Sequence, residues 1–324
     1  MIPKAELHVH LEGTAPPALI RRLAERNGMP VPEGVFAAPD RFAYTDFLDF
    51  LRTYDLVASV IRTGDDYRDV TYEYLAGCAG EGALYVELTA SPDHAALVGL
   101  SDEEHIDGIA RGIDGARADF GIEGRILISC VRNFGTERAL RVARYAASRP
   151  HEYVVGFSMA GDEENFPAGD YLEAFEIAAD AGLGCTVHAG EWAGADSVRA
   201  GLGLPVTRIG HGVRAIEDPE LVREIAERGI VLECCPTSNV VLRAFDSYEE
   251  HPLPRLREAG VRVTLGSDDP PYFGASIGGE YAVCREHMGL GDDALREITR
   301  TALEAAFCDE TLKEGLIRRV DGRV

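Results

Sequence analysis

The amino-acid sequence predicts an α/β fold of the (β/α)8 TIM-type barrel class, formed by a single domain over residues 1–324. Three observations lead to this prediction. The length of 324 residues suits one barrel with insertions. Eight short apolar runs alternate with longer amphipathic segments, and the interval between the first two runs is long enough to hold an extra helix.

The predicted strands follow one another with helical segments such as TERALRVARYAASR and DPELVREIAERG between them. The eight runs are AELHVHL (5–11), LYVELTAS (84–91), RILISCVR (125–132), YVVGFSMA (153–160), GCTVHAG (184–190), RIGHG (208–212), IVLECCPT (230–237) and RVTLGSDD (262–269). Strands that alternate with helices form parallel sheets, and eight strands can close a barrel. The alternative, an open doubly wound sheet, calls for a glycine-rich phosphate loop after its first strand, and HVHLEG is not such a loop.

The interval between the first two predicted strands, residues 12–83, contains the apolar segment FAYTDFLDFLRTYDLV. An insertion after the first strand of a barrel lies over the carboxyl ends of the strands, where it can act as a lid. We therefore predict an inserted helical lid. The alternative is an ordinary outer helix.

The composition indicates a globular protein with an acidic surface. The formal net charge is −23, from 32 Lys and Arg against 55 Asp and Glu, so neither nucleic acid nor a membrane surface is an expected partner. The seven cysteines are odd in number and irregularly spaced, which favours reduced thiols over a disulfide framework. With no signal-peptide pattern and no spanning segment recognised, we expect a cytoplasmic protein.

Side chains that can bind metals or move protons gather at the carboxyl ends of the predicted strands, the face on which barrel enzymes build their active sites. They are His8, His10, His188, Glu191, His211, Asp268 and Asp269. A single histidine near a strand end is more often a hydrogen-bonded structural residue. Two imidazoles on the same face of one strand, as in His8-Val9-His10, are costly to bury without a function.

Three imidazole nitrogens and one carboxylate, from His8, His10, His188 and Asp268, suit one zinc ion with space for a water. Zinc lowers the pKa of bound water, which serves hydrolytic deamination of an aminopurine. In that chemistry Glu191 can protonate the ring. His211 can orient or deprotonate the water, and Asp269 can exchange a hydrogen bond with the ring.

Two related zinc architectures fit less well. A binuclear site often uses a modified lysine on a middle strand, but Lys4 and Lys313 are the only lysines and neither falls on one. The cytidine-type deaminase domain requires Pro-Cys-x-x-Cys, whereas Cys234, Cys235 and Pro236 stand in the wrong order. The predicted site is therefore mononuclear.

Six motifs, LHVHLEG, GFSMAGDE, TVHAGE, RIGHG, CPTSN and GSDDP, appear in the order found in adenosine deaminases and their adenine deaminase relatives. The sequence thus resembles this family of the amidohydrolase superfamily over nearly its whole length. The resemblance implies the same zinc ligands, Glu191 as the acid that protonates the purine, and His211 as the group that positions the water. The residues that it implies beside the substrate are His10, Glu12, Phe47, Leu48, Leu51, Gly161 (backbone N–H to purine N3) and Asp269 (N7 side).

The substrate is the most open point of the resemblance. Typical adenosine deaminases carry Asp where this chain has Glu12, and adenine deaminases usually carry Glu; SDDPPYFG also leans towards the latter. GFSMAGDE, TVHAGE and CPTSN look more like the motifs of the nucleoside enzymes. In GFSMAGDE, however, Ser158 replaces the Asp that usually opens the motif Asp-Leu-Ala-Gly-Asp-Glu. We predict adenosine or deoxyadenosine as substrate. The alternatives are adenine and a modified nucleoside such as aminodeoxyfutalosine or an N6-substituted purine.

Two further hypotheses belong to other functional classes. An amidohydrolase of this type could cleave an amide or an ester, and a non-enzymatic relative could bind purine nucleosides. The presence of all four predicted ligands together with Glu191 argues for catalysis.

Overall fold

The computed structural model describes residues 2–322 and contains one eight-stranded parallel sheet with a separate two-stranded hairpin. The strands are β1 (Lys4–Glu6), β2 (Phe36–Ala38), β3 (Arg41–Phe42), β4 (Ala83–Ala90), β5 (Glu123–Val131), β6 (Val154–Ala160), β7 (Gly184–Ala189), β8 (Arg208–His211), β9 (Val231–Cys234) and β10 (Arg262–Leu265). The large sheet runs in the order β1-β4-β5-β6-β7-β8-β9-β10. This arrangement confirms the predicted barrel.

The first and last strands of the large sheet meet just beyond their carboxyl ends. A parallel bridge joins Val9 to Asp268. The amide of His10 donates to the Asp268 carbonyl at 3.0 Å, and the amide of Asp268 donates to the His8 carbonyl at 3.2 Å. The sheet therefore closes on itself at the residues that carry the predicted metal ligands.

Helices surround the sheet and connect its strands. They are α1 (Pro17–Arg26), α2 (Phe47–Ala58), α3 (Gly64–Gly80), α4 (Pro92–Leu97), α5 (Asp102–Phe120), α6 (Thr136–Ala147), α7 (Leu172–Asp180), α8 (Ala195–Leu202), α9 (Pro219–Arg228), α10 (Pro236–Val241), α11 (Leu253–Glu258), α12 (Pro270–Phe273), α13 (Ile277–Met288), α14 (Asp292–Ala305) and α15 (Glu310–Val320). Local sequence sets their ends. Thr63 and Asp66 form a capping box at the start of α3, and Gly229 ends α9 in the left-handed conformation.

The insertion after β1 contains α1, the β2–β3 hairpin, α2 and α3. The side chain of Asp46 caps α2 by accepting from the amide of Asp49 at 3.0 Å. Phe50 packs within 5.2–5.4 Å of the rings of Tyr272 and Phe273, which lie in α12 directly after the last strand. The predicted helical segment thus lies over the carboxyl ends of the strands. The hairpin was not predicted, because its strands are only three and two residues long.

The barrel interior contains a group of charged side chains, which we call the barrel ion-pair cluster: Arg208, Glu87 and Glu233. All three are essentially inaccessible to solvent. The Arg208 guanidinium lies 2.6 Å from a carboxylate oxygen of Glu87 and 2.6 Å from one of Glu233. Tyr85 donates a further hydrogen bond to Glu87 at 2.8 Å. Each charge in the cluster therefore has an opposite charge in contact with it.

Two predictions made from the composition can be compared with the structure of residues 2–322. All seven cysteines are buried free thiols, as the irregular spacing suggested. Between residues 2 and 322 the structure contains no helix with the length and apolar character needed to cross a bilayer.

Candidate active site

The structure brings the four predicted metal ligands together at the carboxyl ends of β1, β7 and β10. One nitrogen or oxygen atom from each of His8, His10, His188 and Asp268 lies within 4.8 Å of the others. His10 Nε2 is 3.0 Å from His188 Nε2 and 3.3 Å from Asp268 Oδ1. His8 Nε2 is 3.5 Å from the same carboxylate oxygen.

Neighbouring groups fix which nitrogen of two imidazoles faces the centre of this group. His8 Nδ1 donates to Glu233 at 2.9 Å, and His188 Nδ1 donates to the Met159 carbonyl at 2.9 Å. Because a carbonyl oxygen can only accept, His188 carries its proton on Nδ1 and directs the lone pair of Nε2 inwards. Ser238 donates to the second oxygen of Asp268 at 2.7 Å.

This donor set fits a zinc ion. The buried Nε2 atom of His8 has no hydrogen-bond partner among the described residues, as expected for an atom that ligates a cation. Burial, together with the neighbouring imidazoles His8 and His10, lowers the pKa of His188 well below its usual value, which keeps it in the neutral form that binds metals. Three imidazoles and one carboxylate are ligands that zinc accepts, with the outer hydrogen bonds that such ligands usually have.

A second group of possible ligand atoms overlaps the first and consists of His8, His211, Cys235 and Asp268. Burial raises the pKa of the Cys235 thiol well above its usual value, and the negative charge of Asp268 raises it further. Cys235 Sγ also donates a hydrogen bond to the Glu233 carbonyl at 3.8 Å, and the second group offers two imidazoles where the first offers three. The first group therefore offers the better cation site.

Two carboxyl groups beside the candidate metal site favour the protonated form. Burial raises the pKa of Glu191, and the carboxylates of Asp268 and Glu163 raise it further. Burial likewise raises the pKa of Asp269, and the carboxyl groups of Asp268 and Glu191 raise it further. Oδ1 of Asp269 has no hydrogen-bond partner within residues 2–322, and Asp269 is one of the residues that line the adjoining cavity. Both groups can give a proton or a hydrogen bond to a bound ring.

His211 and Asp268 adopt the left-handed backbone conformation, with φ of 58° and 63°. Residues other than glycine rarely do so, and such strain tends to persist at functional positions. His211 Nε2 is 3.6 Å from Glu191 Oε2 and 3.9 Å from Asp268 Oδ2. The backbone turn at the end of β8 thus places the His211 ring between the candidate acid and a candidate ligand.

Glu163 holds the loop that carries Glu191, a contact that sequence reasoning missed. Its buried carboxylate accepts hydrogen bonds from the amides of Gly190, Trp192 and Ala193 at 2.5–2.7 Å, and from the Ser197 hydroxyl at 2.5 Å. Glu163 closes the motif GFSMAGDE, so an acidic residue without an assigned role was the available clue. Glu233, in the middle of an apolar strand, offered a similar clue.

One cavity adjoins these groups and extends under α2, although His8 and His211 are not among its lining residues. It is lined by His10, Glu12, Phe47, Phe50, Leu51, Tyr54, Asp55, Thr89, Ser91, His94, Ser129, Val131, Asn133, Phe134, Ala160, Gly161, His188, Glu191, Asp268 and Asp269. Gly161 has φ of +106°, and a Cβ there would lie 2.2 Å from Asn133 Oδ1, so only glycine fits. Among residues 2–322, no lysine or arginine lines this cavity.

The three predicted lid residues divide into two groups. Phe47 and Leu51 line the cavity, and the Phe47 ring also stacks on that of Trp192 at a centroid distance of 5.4 Å. The side chain of Leu48 is 60% exposed and does not line the cavity. The reason is helical geometry, because one residue advances the direction of a side chain by more than a quarter of a turn.

Glu12 lies at the wall of the cavity with its carboxylate fixed by the protein. Oε2 accepts from the Tyr54 hydroxyl at 3.3 Å, and Oε1 accepts from the Tyr67 hydroxyl at 3.3 Å and the Ser91 amide at 3.1 Å. Three donors from α2, α3 and the end of β4 therefore hold this side chain in place.

A family model described as adenosine deaminase matches residues 3–323. The chain belongs to the adenosine deaminase family. A protein named adenine deaminase from Mesorhizobium japonicum is 48% identical to it, over 98% of each chain. The crystal structure of an adenine deaminase from Arthrobacter aurescens is 30% identical, covers 99% of both chains and has a TM-score of 0.93. A zinc-bound amidohydrolase structure from Burkholderia ambifaria is 26% identical, covers 99% of this chain and 91% of its own, and has a TM-score of 0.89.

Membership of the adenosine deaminase family confirms the resemblance identified in the sequence. It also establishes the broad class of chemistry, hydrolytic removal of an amino group from an aminopurine. The family spans substrates that differ in what is attached to the purine, so the choice among them depends on the particular residues of this cavity.

Proposed function

We propose that this protein is a zinc-dependent adenine deaminase that converts adenine and water to hypoxanthine and ammonia. The observation that carries this proposal is the convergence of four side chains that can bind a metal, three of which, His10, His188 and Asp268, line the same cavity as Glu191. The relatives named adenine deaminase support the alternative substrate of the sequence analysis better than adenosine, which we placed first.

His8, His10, His188 and Asp268 would hold one zinc ion per chain. When bound, zinc acts as a Lewis acid that makes water a better nucleophile at neutral pH. Glu233 and the Met159 carbonyl orient two of the ligands, as the hydrogen bonds of His8 and His188 require.

The residues around the site would then act on different atoms of the purine ring. Glu191 gives its proton to ring N1 while the oxygen of water attacks C6. His211 holds that oxygen in position. Asp269 donates a hydrogen bond to N7, and the Gly161 amide donates one to N3. One proton of the water replaces the proton that Glu191 gave to N1, and the other leaves with the amino group as ammonia.

Glu12 supports the free base as substrate in preference to the nucleoside. Its side chain is one methylene longer than the Asp of typical adenosine deaminases and thus reaches further into the space for a sugar. The two tyrosines and the Ser91 amide leave its carboxylate little freedom to move away. A ribose would have to displace these hydrogen bonds.

The charges of the cavity argue against a nucleotide substrate. The lining includes the carboxyl groups of Glu12, Asp55 and Asp268, and no lysine or arginine of residues 2–322 contributes to it. A phosphate group in such surroundings would lack the cationic partner that phosphate sites use. The substrate class that fits is therefore an uncharged purine.

The test is a comparison of kcat/KM for adenine, adenosine, deoxyadenosine, aminodeoxyfutalosine and AMP with the zinc-loaded enzyme, followed through the ultraviolet spectrum of the ring and ammonia release. We expect adenine to exceed the others by about 10²-fold or more, on the scale of several lost or clashing contacts. Glu12→Asp should narrow the difference between adenine and adenosine. Higher kcat/KM with adenosine would overturn the assignment of adenine.

The metal assignment has its own measurement. Elemental analysis should find one zinc per chain, and chelation followed by zinc addition should remove and restore activity. His8→Ala should lower the zinc content, and an unchanged content in that variant would remove His8 from the ligand set.

A further inference from the structure

A buried histidine with no place among the proposed ligands lies behind the active site. His251 is essentially inaccessible to solvent and stands in the segment between α10 and α11. Asn239, on α10, connects it to His211: His251 Nε2 is 3.1 Å from Asn239 Oδ1, and Asn239 Nδ2 is 3.3 Å from His211 Nδ1. The chain of contacts thus runs from the protein interior to the His211 ring.

The direction of the hydrogen bonds in this chain follows from its first member. The backbone amide of Leu253 donates to His251 Nδ1 at 3.3 Å. An amide N–H can only donate, so His251 Nδ1 must accept and the proton of the neutral ring stands on Nε2. His251 Nε2–H therefore donates to Asn239.

The amide group of Asn239 then has only one consistent orientation. Its oxygen must face the donor on His251, and its nitrogen must face His211 Nδ1. The reversed amide would set an N–H against the N–H of His251 and leave both without an acceptor in a buried place. His211 Nδ1 therefore accepts, and its neutral ring carries the proton on Nε2.

We propose that Asn239 and His251 are positioning residues that fix His211 as the Nε2–H tautomer, so that it donates a hydrogen bond to the attacking oxygen and does not take a proton from it. The proposal rests on the proposed function, because it specifies how His211 acts in that site. His211 Nε2 is buried, 3.6 Å from Glu191 Oε2 and 3.9 Å from Asp268 Oδ2, where the oxygen of the reaction would have to lie.

The same tautomer bears on the choice between the two groups of possible metal ligands. A protonated Nε2 has no lone pair to offer, and Nδ1 is occupied by Asn239. His211 is thereby excluded from ligating a cation through Nε2. This supports His8, His10, His188 and Asp268 as the set that binds zinc.

The tautomer can be measured without substrate by two-bond ¹H–¹⁵N spectra of the zinc-loaded protein labelled at its histidines, with His211→Gln to assign the resonances. We expect the Nε2–H form of His211 in the wild-type protein. Asn239→Asp places acceptor oxygens on both sides, so His211 should move its proton to Nδ1. An Nδ1–H tautomer in the wild-type protein would overturn the proposal, as would a spectrum that Asn239→Asp leaves unchanged.

Kinetics give the second measurement. Loss of the donor in Asn239→Asp should lower kcat by about 10²-fold, the usual effect of removing one such donor, while KM changes less than about threefold. His251→Leu frees the Asn239 amide to reverse and should also lower kcat, whereas His251→Gln keeps a donor and should restore most of it. Equal losses in His251→Leu and His251→Gln, with equal zinc content, would contradict a positioning role. A wild-type enzyme inactive on adenine but with the expected tautomer would contradict only the proposed function.

Discussion

The barrel contains two buried groups of charged and polar side chains that differ in how their charges are compensated. In the barrel ion-pair cluster, Arg208 contacts both Glu87 and Glu233 at 2.6 Å. In the candidate active site, His8 Nε2 and Asp269 Oδ1 are buried without a hydrogen-bond partner among residues 2–322. The two groups are neighbours, because His8 Nδ1 donates to Glu233.

This difference indicates that the barrel ion-pair cluster stabilises the fold, whereas the unpartnered atoms of the candidate active site serve the reaction. A buried polar atom without a partner is unfavourable, so several at one place indicate a function that needs them free. A buried charge with its counter-charge in contact instead belongs to the structure, and removing one partner leaves the other uncompensated. Substitutions in the two groups should therefore have different consequences for stability and for turnover.

Arg208→Ala should have the largest effect on folding. It leaves the carboxylates of Glu87 and Glu233 buried without their cation, which costs about 3–5 kcal/mol. Chemical denaturation would measure the free energy of unfolding. Arg22→Ala is the matched control, since Arg22 forms an exposed ion pair with Glu73 and should change stability by less than about 1 kcal/mol. Equal losses in the two variants would refute the structural role of the cluster.

Glu191→Gln, unlike Arg208→Ala, should lower turnover and leave stability unchanged. It removes the proton donor but keeps the shape of the side chain, so kcat should fall by about 10²-fold or more. The zinc content and the melting temperature should match those of the wild-type protein. Near wild-type turnover with full metal content would exclude Glu191 as the acid.

Glu280 is a buried residue that combines features of both groups. Its Oε1 atom has no hydrogen-bond partner in the described chain, but Glu280 does not line the cavity. Burial raises its pKa to about 8. Between about pH 5 and pH 8 the unfolded chain has lost this proton while the folded protein retains it, so stability should fall as pH rises through that window. The expected slope is on the order of 1 kcal/mol per pH unit.

Glu280→Gln cannot ionise and should remove that part of the slope, with little effect on kcat. The measurement is the free energy of unfolding at several pH values. Glu286→Gln, on the exposed side of the same helix, is the control and should leave the slope unchanged. A wild-type slope in Glu280→Gln would mean that another group titrates there.

The lid residues give the smallest expected effects. Leu51 lines the cavity, so Leu51→Ala should raise KM for adenine by about fivefold, which corresponds to about 1 kcal/mol of lost apolar contact. Leu48 is largely exposed, and Leu48→Ala should change KM by less than about twofold. If Leu48→Ala has the larger effect, α2 rotates when substrate binds.

Much of the fold and of the site could be predicted because their signals are local. Strand and helix periodicity is visible in short stretches of sequence, and polar residues at strand ends share one face of a barrel. His8 and His10 follow this logic, although the regular strand β1 ends at Glu6 and only Val9 and His10 form isolated bridges beyond it. Closure of the sheet into a barrel could be predicted from the number of strands alone.

The remaining features depend on contacts between distant parts of the chain. Glu163 is remote in sequence from the amides of the 190–193 loop that it accepts from, and nothing near Glu163 reveals them. The chain from His251 through Asn239 becomes visible only once α10 and the following segment are in place. Leu48 was misjudged for a simpler reason, since an apolar segment does not show which of its faces meets the barrel.

The contact between the first and last barrel strands sets the order in which this molecule can be assembled. His8 and His10 stand far ahead of Asp268 along the chain, so they are translated well before it. A partial product has two imidazoles and no aspartate to complete the coordination. In the proposed zinc site, full coordination would therefore come only after the strand that leads to Asp268 has been made and has met the first strand.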